Sequence, residues 1–235
     1  MMTLKRSKDT KVTNAVTASG AAAIANSFGL PSGVQYSCTD ATEFCSEICY
    51  AGRLERVRPS VRNVLTHNYE LLRNADYETM VSLLSAMIAD FVAESDKRNA
   101  PKFFRIHWDG DFFNATYVSA WSRVIAQYRD VRFWVYTRVA TAALFLQAQK
   151  HENLSLYFSG DRDNVDTARY LSSRGINIAY VAETFADGKS VFPSAVRCPE
   201  NNKALPIISD QGSACARCGL CVNGRRSVLF SATKR

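Results

Sequence analysis

The sequence predicts an α/β fold on a mostly parallel sheet, and two observations predict it. From about residue 102 onward, strand-like apolar runs alternate with amphipathic helical segments, the pattern of right-handed βαβ units. Those runs are near-continuously apolar, as strands covered on both faces must be. The clearest strands are 102–107 (KFFRIH), 132–137 (RFWVYT), 154–159 (LSLYFS) and 177–181 (NIAYV). A shorter candidate, 34–37 (VQYS), would lead directly into the first cysteine cluster.

Helices fill the gaps. One is expected near 60–73, and one near 77–94 that buries Met80, Val81, Leu84, Met87, Ile88 and Phe91 at helical spacing behind an Asp76 cap. Asn114 caps a helix with Tyr117, Val118, Trp121, Val124, Ile125 and Tyr128 on one face. Further helices are expected near 140–150 and 164–174, the latter stopped by Gly175. Pattern alone leaves two arrangements open, an open doubly wound sheet or a partial TIM-like barrel.

The 235 residues suit one core with extensions. Three segments are expected: a basic, partly flexible arm over 1–33, an α/β core over 34–185, and a cysteine-rich extension over 186–235 packed on that core. No apolar run approaches the roughly 20 residues of a membrane span. The stretch 14–26 (NAVTASGAAAIAN) follows a basic start, but its small residues are broken by Thr, Ser and Gly, which argues against an export signal. The net charge is +7, spread along the chain and enriched at the two ends. Such a charge favours anionic partners, nucleic acid among them, without identifying one.

Seven cysteines are the informative count. Their odd number and short spacings point away from a disulfide framework and toward metal binding in a reducing cytoplasm. Cys215, Cys218 and Cys221 form a CxxCxxC run, and Cys198 precedes Pro199 upstream. Three thiolates from one tight loop plus a Cys-Pro suit a [4Fe–4S] cluster. Zinc on four thiolates is the alternative, although its motifs more often come as two separated CxxC pairs. The second group, Cys38-x6-Cys45-x3-Cys49, offers three thiolates, enough to hold three irons of a cubane and leave the fourth open to a small molecule. The chain is therefore expected to carry one or two clusters.

The segments CSEICYAG, RIHWDGDFF and FWVYTR, followed by the cysteine-rich tail, resemble those of the phage gene 88 protein family over about 34–221. That likeness implies a phage protein working in the host cytoplasm. More loosely, three cysteines after the first strand of a βα-repeat chain resemble the radical S-adenosylmethionine enzymes. Their partial barrel binds that cofactor at an open iron, and a second cluster near the C-terminus also occurs. The position corresponding to their glycine-rich strand end is Trp108-Asp109-Gly110-Asp111 here, and the spacing differs from their Cx3Cx2C loop.

In a parallel sheet the strand C-termini share one face, where ligand sites lie. Those ends carry His107, Asp109 and Asp111, then Arg138, then Asp161 and Arg162, then Glu183. His107, Asp109, Asp111 and Glu183 are candidate catalytic groups, with His107 the natural proton carrier. Arg138, Asp161 and Arg162 are candidate substrate contacts, Arg138 suited to a carboxylate or phosphate. Each has a plainer role as turn, cap or ion pair. Tyr36, Tyr50, Tyr136 and Trp108 could stack a base or simply fill the core. His67 and His151 carry no role.

Two function classes follow. One is an enzyme with an open cluster iron and a small-molecule ligand. The other is a nucleic-acid-binding iron–sulfur or zinc module with a regulatory or redox-sensing role. Strand-end charges favour the first, and basic residues the second.

Overall fold

The computed structural model describes residues 2–233. Its centre is a six-stranded, all-parallel sheet in the order β3 (Phe103–Ile106), β4 (Arg132–Thr137), β5 (Leu154–Gly160), β6 (Asn177–Ala182), β10 (Val228–Ser231), β7 (Val196–Arg197). The remaining strands are short: β1 (Asn14–Thr17) pairs with β2 (Gly20–Ala23), and β8 (Ile208–Ser209) with β9 (Gly212–Ser213). The first four sheet strands run across the sheet in chain order, with no reversal point of the doubly wound kind among them. No pairing closes the sheet into a barrel among the described residues.

The helices are α1 (Glu43–Ile48), α2 (Tyr50–Val57), α3 (Pro59–Leu72), α4 (Tyr77–Arg98), α5 (Ala115–Gln127), α6 (Ala140–Ala148), α7 (Val165–Ser173), α8 (Phe185–Val191) and α9 (Ala214–Cys218). Asp76 and Asn114 cap α4 and α5 through Thr79 N and Tyr117 N, at 2.8 Å each. The interstrand helices cover one face of the sheet, which follows from right-handed crossovers all advancing in one direction. Phe104 and Phe133 face that side and meet Trp121 of α5 edge-on or tilted.

Two expectations change here. Residues 34–37 form turns, not a strand: Tyr36 N and Cys38 N both donate to the carbonyl of Gly33, which sits at φ 108°. The stretch that lies beside β3 is upstream. Ser27 bridges Arg105 in parallel, with Phe28 N donating to Arg105 O and Trp108 N to Phe28 O. The segment expected as a flexible arm therefore joins the core, where Leu4, Val12, Ile24, Phe28 and Leu30 are buried.

The C-terminal segment is likewise integral. Its last strand, β10, sits inside the sheet between β6 and β7. The loop between β7 and β10 crosses the sheet face away from the helices, where Ser155 Oγ donates to Val222 O and Tyr157 Oη to Arg226 O. Gly224 is at φ 60°, and a Cβ there would stand 2.9 Å from Ser155 Oγ, so the loop lies flat on β5.

Asn68 of α3 clamps the N-terminal segment. Fully buried, it accepts from Lys5 N and donates to Lys5 O and Gly29 O. Replacing Asn68 by Ala strands Gly29 O and releases Lys5. The expected cost is about 2 kcal/mol, read from urea denaturation, with earlier proteolysis ahead of residue 12.

Candidate functional site

Three cysteines meet at the strand C-termini. Cys38, Cys45 and Cys49 line one cavity of about 340 Å³ together with Ser32, Gln35, Tyr36, Glu55, Arg56 and Arg62. Local sequence explains the convergence. Cys38 ends the turn centred on Gly33, Cys45 lies in the first turn of α1, and Cys49 is the hinge between α1 and α2. Its sulfur caps α2 by accepting from Gly52 N at 3.2 Å. Gly110, at φ 79°, lets the strand-end turn abut this loop, because a Cβ there would stand 2.8 Å from Leu30 O and closer still to Ser37 Oγ.

Asp161 fixes Cys45. Its carboxylate is wholly buried, accepts from Thr42 Oγ1 and Arg138 Nη1 at 2.6 Å each through Oδ2, and thereby holds the cap residue of α1. Asp163 accepts from Phe44 N at 2.8 Å and secures the same helix end. Arg138 is thus committed to an internal ion pair, not left free for a ligand. Asp111 is equally occupied: Oδ1 accepts from Thr137 Oγ1 and Phe112 N, and Oδ2 from Arg138 N. These two acids knit the ends of β3, β4 and β5 together.

The other strand-end residues separate. His107 takes φ 57° and turns into the core against Phe28, Phe112 and Tyr117, its Nε2 2.9 Å from Tyr117 Oη. Burial, then Arg105, depresses its pKa to about 3, so it stays neutral and away from the cavity. Arg162 and Glu183 pair at 2.9 Å on the exposed rim, where Arg162 also covers the Phe44 ring. Asp109 alone among the acids stands toward both Cys38 and Glu55. Burial first, and the Glu55 carboxylate second, push its pKa up to about 8. Among the described residues its buried Oδ2 has no hydrogen-bond partner.

The second cysteine group lies on the sheet face opposite the helices. Cys198, Cys215 and Cys221 act on one another's ionisation, as do Cys218 and Cys221. The Tyr136 hydroxyl beside Cys221 partly offsets the effect of burial on that thiol, and Cys215 N donates to Lys11 O. The buried Arg105, paired with Asp9 at 2.6 Å and stacked on Tyr136, feels Tyr50 on one side and Cys215 on the other. Trp108, packed with Leu65 and Ala51, fills a small core of its own.

All seven cysteines are free thiols. Burial pushes Cys38, Cys45, Cys198 and Cys215 above the usual thiol range, and Cys221 up to about 12. The Arg138 guanidinium beside Cys45 opposes that shift only in part. Among the described residues no three His, Cys, Asp or Glu side chains are gathered closely enough to grip one metal ion. A single zinc would draw four sulfurs to about 2.3 Å from one point, tighter than this arrangement.

Sequence reasoning missed Ser32, Thr42, Glu55, Arg56 and Arg62. Thr42 was legible as a cap three residues before Cys45, but the cavity wall comes from tertiary packing of α2 and α3.

Two outcomes follow. Asp161→Ala leaves the Arg138 charge buried and unpaired, and is expected to cost about 3 kcal/mol by denaturant unfolding. Asp109 has a folded pKa near 8 against an ordinary 3.8, so the folded state takes up a proton between those values. Its contribution is present in full below pH 3.8 and lost as pH rises through 8. Asp109→Asn should flatten the fall in unfolding free energy across that window.

Comparison with known proteins places the chain. Residues 2–224 match the family described as Gene product 88. The "Gene 88 protein" of Mycobacterium phage L5 is 64% identical, with both chains covered in full. The "Gene 88 protein" of Mycobacterium phage D29 is also 64% identical, again over the whole of both chains. No solved structure matches. With nearly the whole chain matched and identity this high, the protein belongs to the phage Gene product 88 family.

Proposed function

We propose that this protein is an iron–sulfur enzyme in which Cys38, Cys45 and Cys49 hold a [4Fe–4S] cluster with one iron open to a small molecule. The observation that carries the reading is the opening of these three thiols into one cavity at the C-terminal ends of parallel strands, where α/β enzymes keep their chemistry. The donor set fits: thiolates are the ligands of such clusters, and a cubane spreads its sulfurs more widely than a single ion does. Cys198, Cys215, Cys218 and Cys221 would hold a second cluster, with zinc as the alternative there.

Four successive strands in chain order with helices on one face are consistent with a partial TIM-like barrel, the scaffold of the radical S-adenosylmethionine enzymes. S-adenosylmethionine is the ligand that this resemblance suggests. When bound, an open-iron cluster supplies one-electron chemistry. The chain's own residues position it. Gly52 N donates to Cys49 Sγ, and Thr42 and Asp161 seat Cys45.

The test is iron, sulfide and zinc analysis of anaerobically purified protein, repeated with Cys45→Ala and Cys218→Ala. Each substitution should remove one centre, about four irons if both are clusters, and spare the other. Wild-type protein free of iron and sulfide would end the proposal. Anaerobic titration with S-adenosylmethionine then decides that ligand, with binding lost in Cys45→Ala.

A further inference from the structure

The wall of the cysteine cavity is cationic at its mouth. Arg56 and Arg62 line it along with the three cysteines. An ideal Cβ on Gly52 would stand 3.5 Å from Cys49 Sγ and 4.0 Å from Arg56 Nη1, so the guanidinium folds over the helix start beside that sulfur. Arg53 and Arg58 add charge on the same two helices. Among the described residues none of these four arginines makes a salt bridge or a side-chain hydrogen bond. The neighbouring acid does not neutralise them: Glu55 turns inward, accepting from Ser32 N and Ser32 Oγ and facing Asp109. Unpaired guanidinium groups at a cavity mouth are suited to a planar, bidentate anion.

The same wall carries Tyr36 and Gln35. Tyr36 is half-buried and meets Tyr69 edge-on, which leaves its ring braced. A braced aromatic face beside a side-chain amide, under a pair of arginines, provides a stacking surface, a hydrogen-bonding edge and an anion grip in one cavity.

We propose that the cysteine cavity takes a nucleotide phosphate ester, its phosphate held by Arg56 and Arg62 and its base against Tyr36. This rests on reading the cavity as the substrate site of the cysteine loop, and it names the substrate class. The ester can come from a free nucleotide or from a single-stranded nucleic acid. Arg138, the sequence-level candidate for anion binding, is closed to this role by Asp161.

The experiment is fluorescence anisotropy of the anaerobically purified full chain with a short labelled single-stranded oligonucleotide, competed with adenosine monophosphate and with inorganic phosphate. The wild type should bind at low salt. Arg56→Ala with Arg62→Ala should weaken binding by about tenfold or more and reduce the slope of log affinity against log salt by about 1.4. Both residues are exposed, so the fold should survive, as circular dichroism will verify. Arg123→Ala with Arg129→Ala removes the same charge from exposed positions outside the cavity and should leave affinity unchanged. Competition by the mononucleotide identifies a free nucleotide as the source; competition by oligonucleotide alone identifies a strand.

Absence of wild-type binding in every arm overturns the proposal. So does an unchanged double variant, or an equal loss in the control pair. Iron is measured on the same samples. Phosphate binding without iron removes the cluster and keeps the anion site, while iron with indifferent arginines removes the anion site alone.

Discussion

A carboxylate with no access to solvent, Asp161 at the end of β5, is the constraint on which the upper face of this protein depends. A lone buried charge is costly, and only close donors offset it. Besides the local Asp163 N, two donors reach Asp161 from different parts of the chain: Thr42 at the start of α1 and Arg138 after β4. One acid therefore ties the cysteine loop to the sheet. Asp111 performs a parallel task one strand over, joining the ends of β3 and β4. The charges that gather at the strand ends are largely spent on architecture; Asp109 stays buried beside Glu55, and Arg56 and Arg62 of α2 and α3 line the cavity.

This division explains what the sequence could and could not reveal. Strands 132–137, 154–159 and 177–181 were legible because apolar runs bounded by turns have few other readings, and Asp76 and Asn114 were legible as caps by their local chemistry. The edge segment beside β3 was obscured by its small and polar residues. Ser27 and Gly29 are buried along with Ile24, Asn26, Phe28 and Leu30, so no buried–exposed alternation marks it, and Asn26 is buried through a hydrogen bond to Val12 O and not by being apolar. α8 and β10 were hidden by brevity, although Thr184 and Asp187 spell a capping box.

The functional residues divide along similar lines. Cysteine spacing is read directly along the chain, so both groups were visible early. His107 was misread because nothing in its neighbours reveals a left-handed backbone, and that single torsion sends the ring into the core instead of the cavity. Arg138 was chosen for its chemistry, but a guanidinium that suits a ligand suits a buried aspartate equally well. Arg56 and Arg62 resembled an ordinary solvated helix face, and only the packing of α2 and α3 over the cysteine loop gives them a direction.

The placement of β10 carries a further consequence for how the protein is made. This strand follows every other strand of the sheet in the chain, yet it occupies the interior of the sheet, between β6 and β7. During synthesis β6 keeps an open flank, and β7 lacks its partner in the sheet, until residues 228–231 have emerged. The loop with Cys198, Cys215, Cys218 and Cys221 is the tether that brings β10 home. Any centre that gathers those four sulfurs would shorten the search for that final strand, making maturation of the C-terminal cysteines and completion of the sheet a single late event.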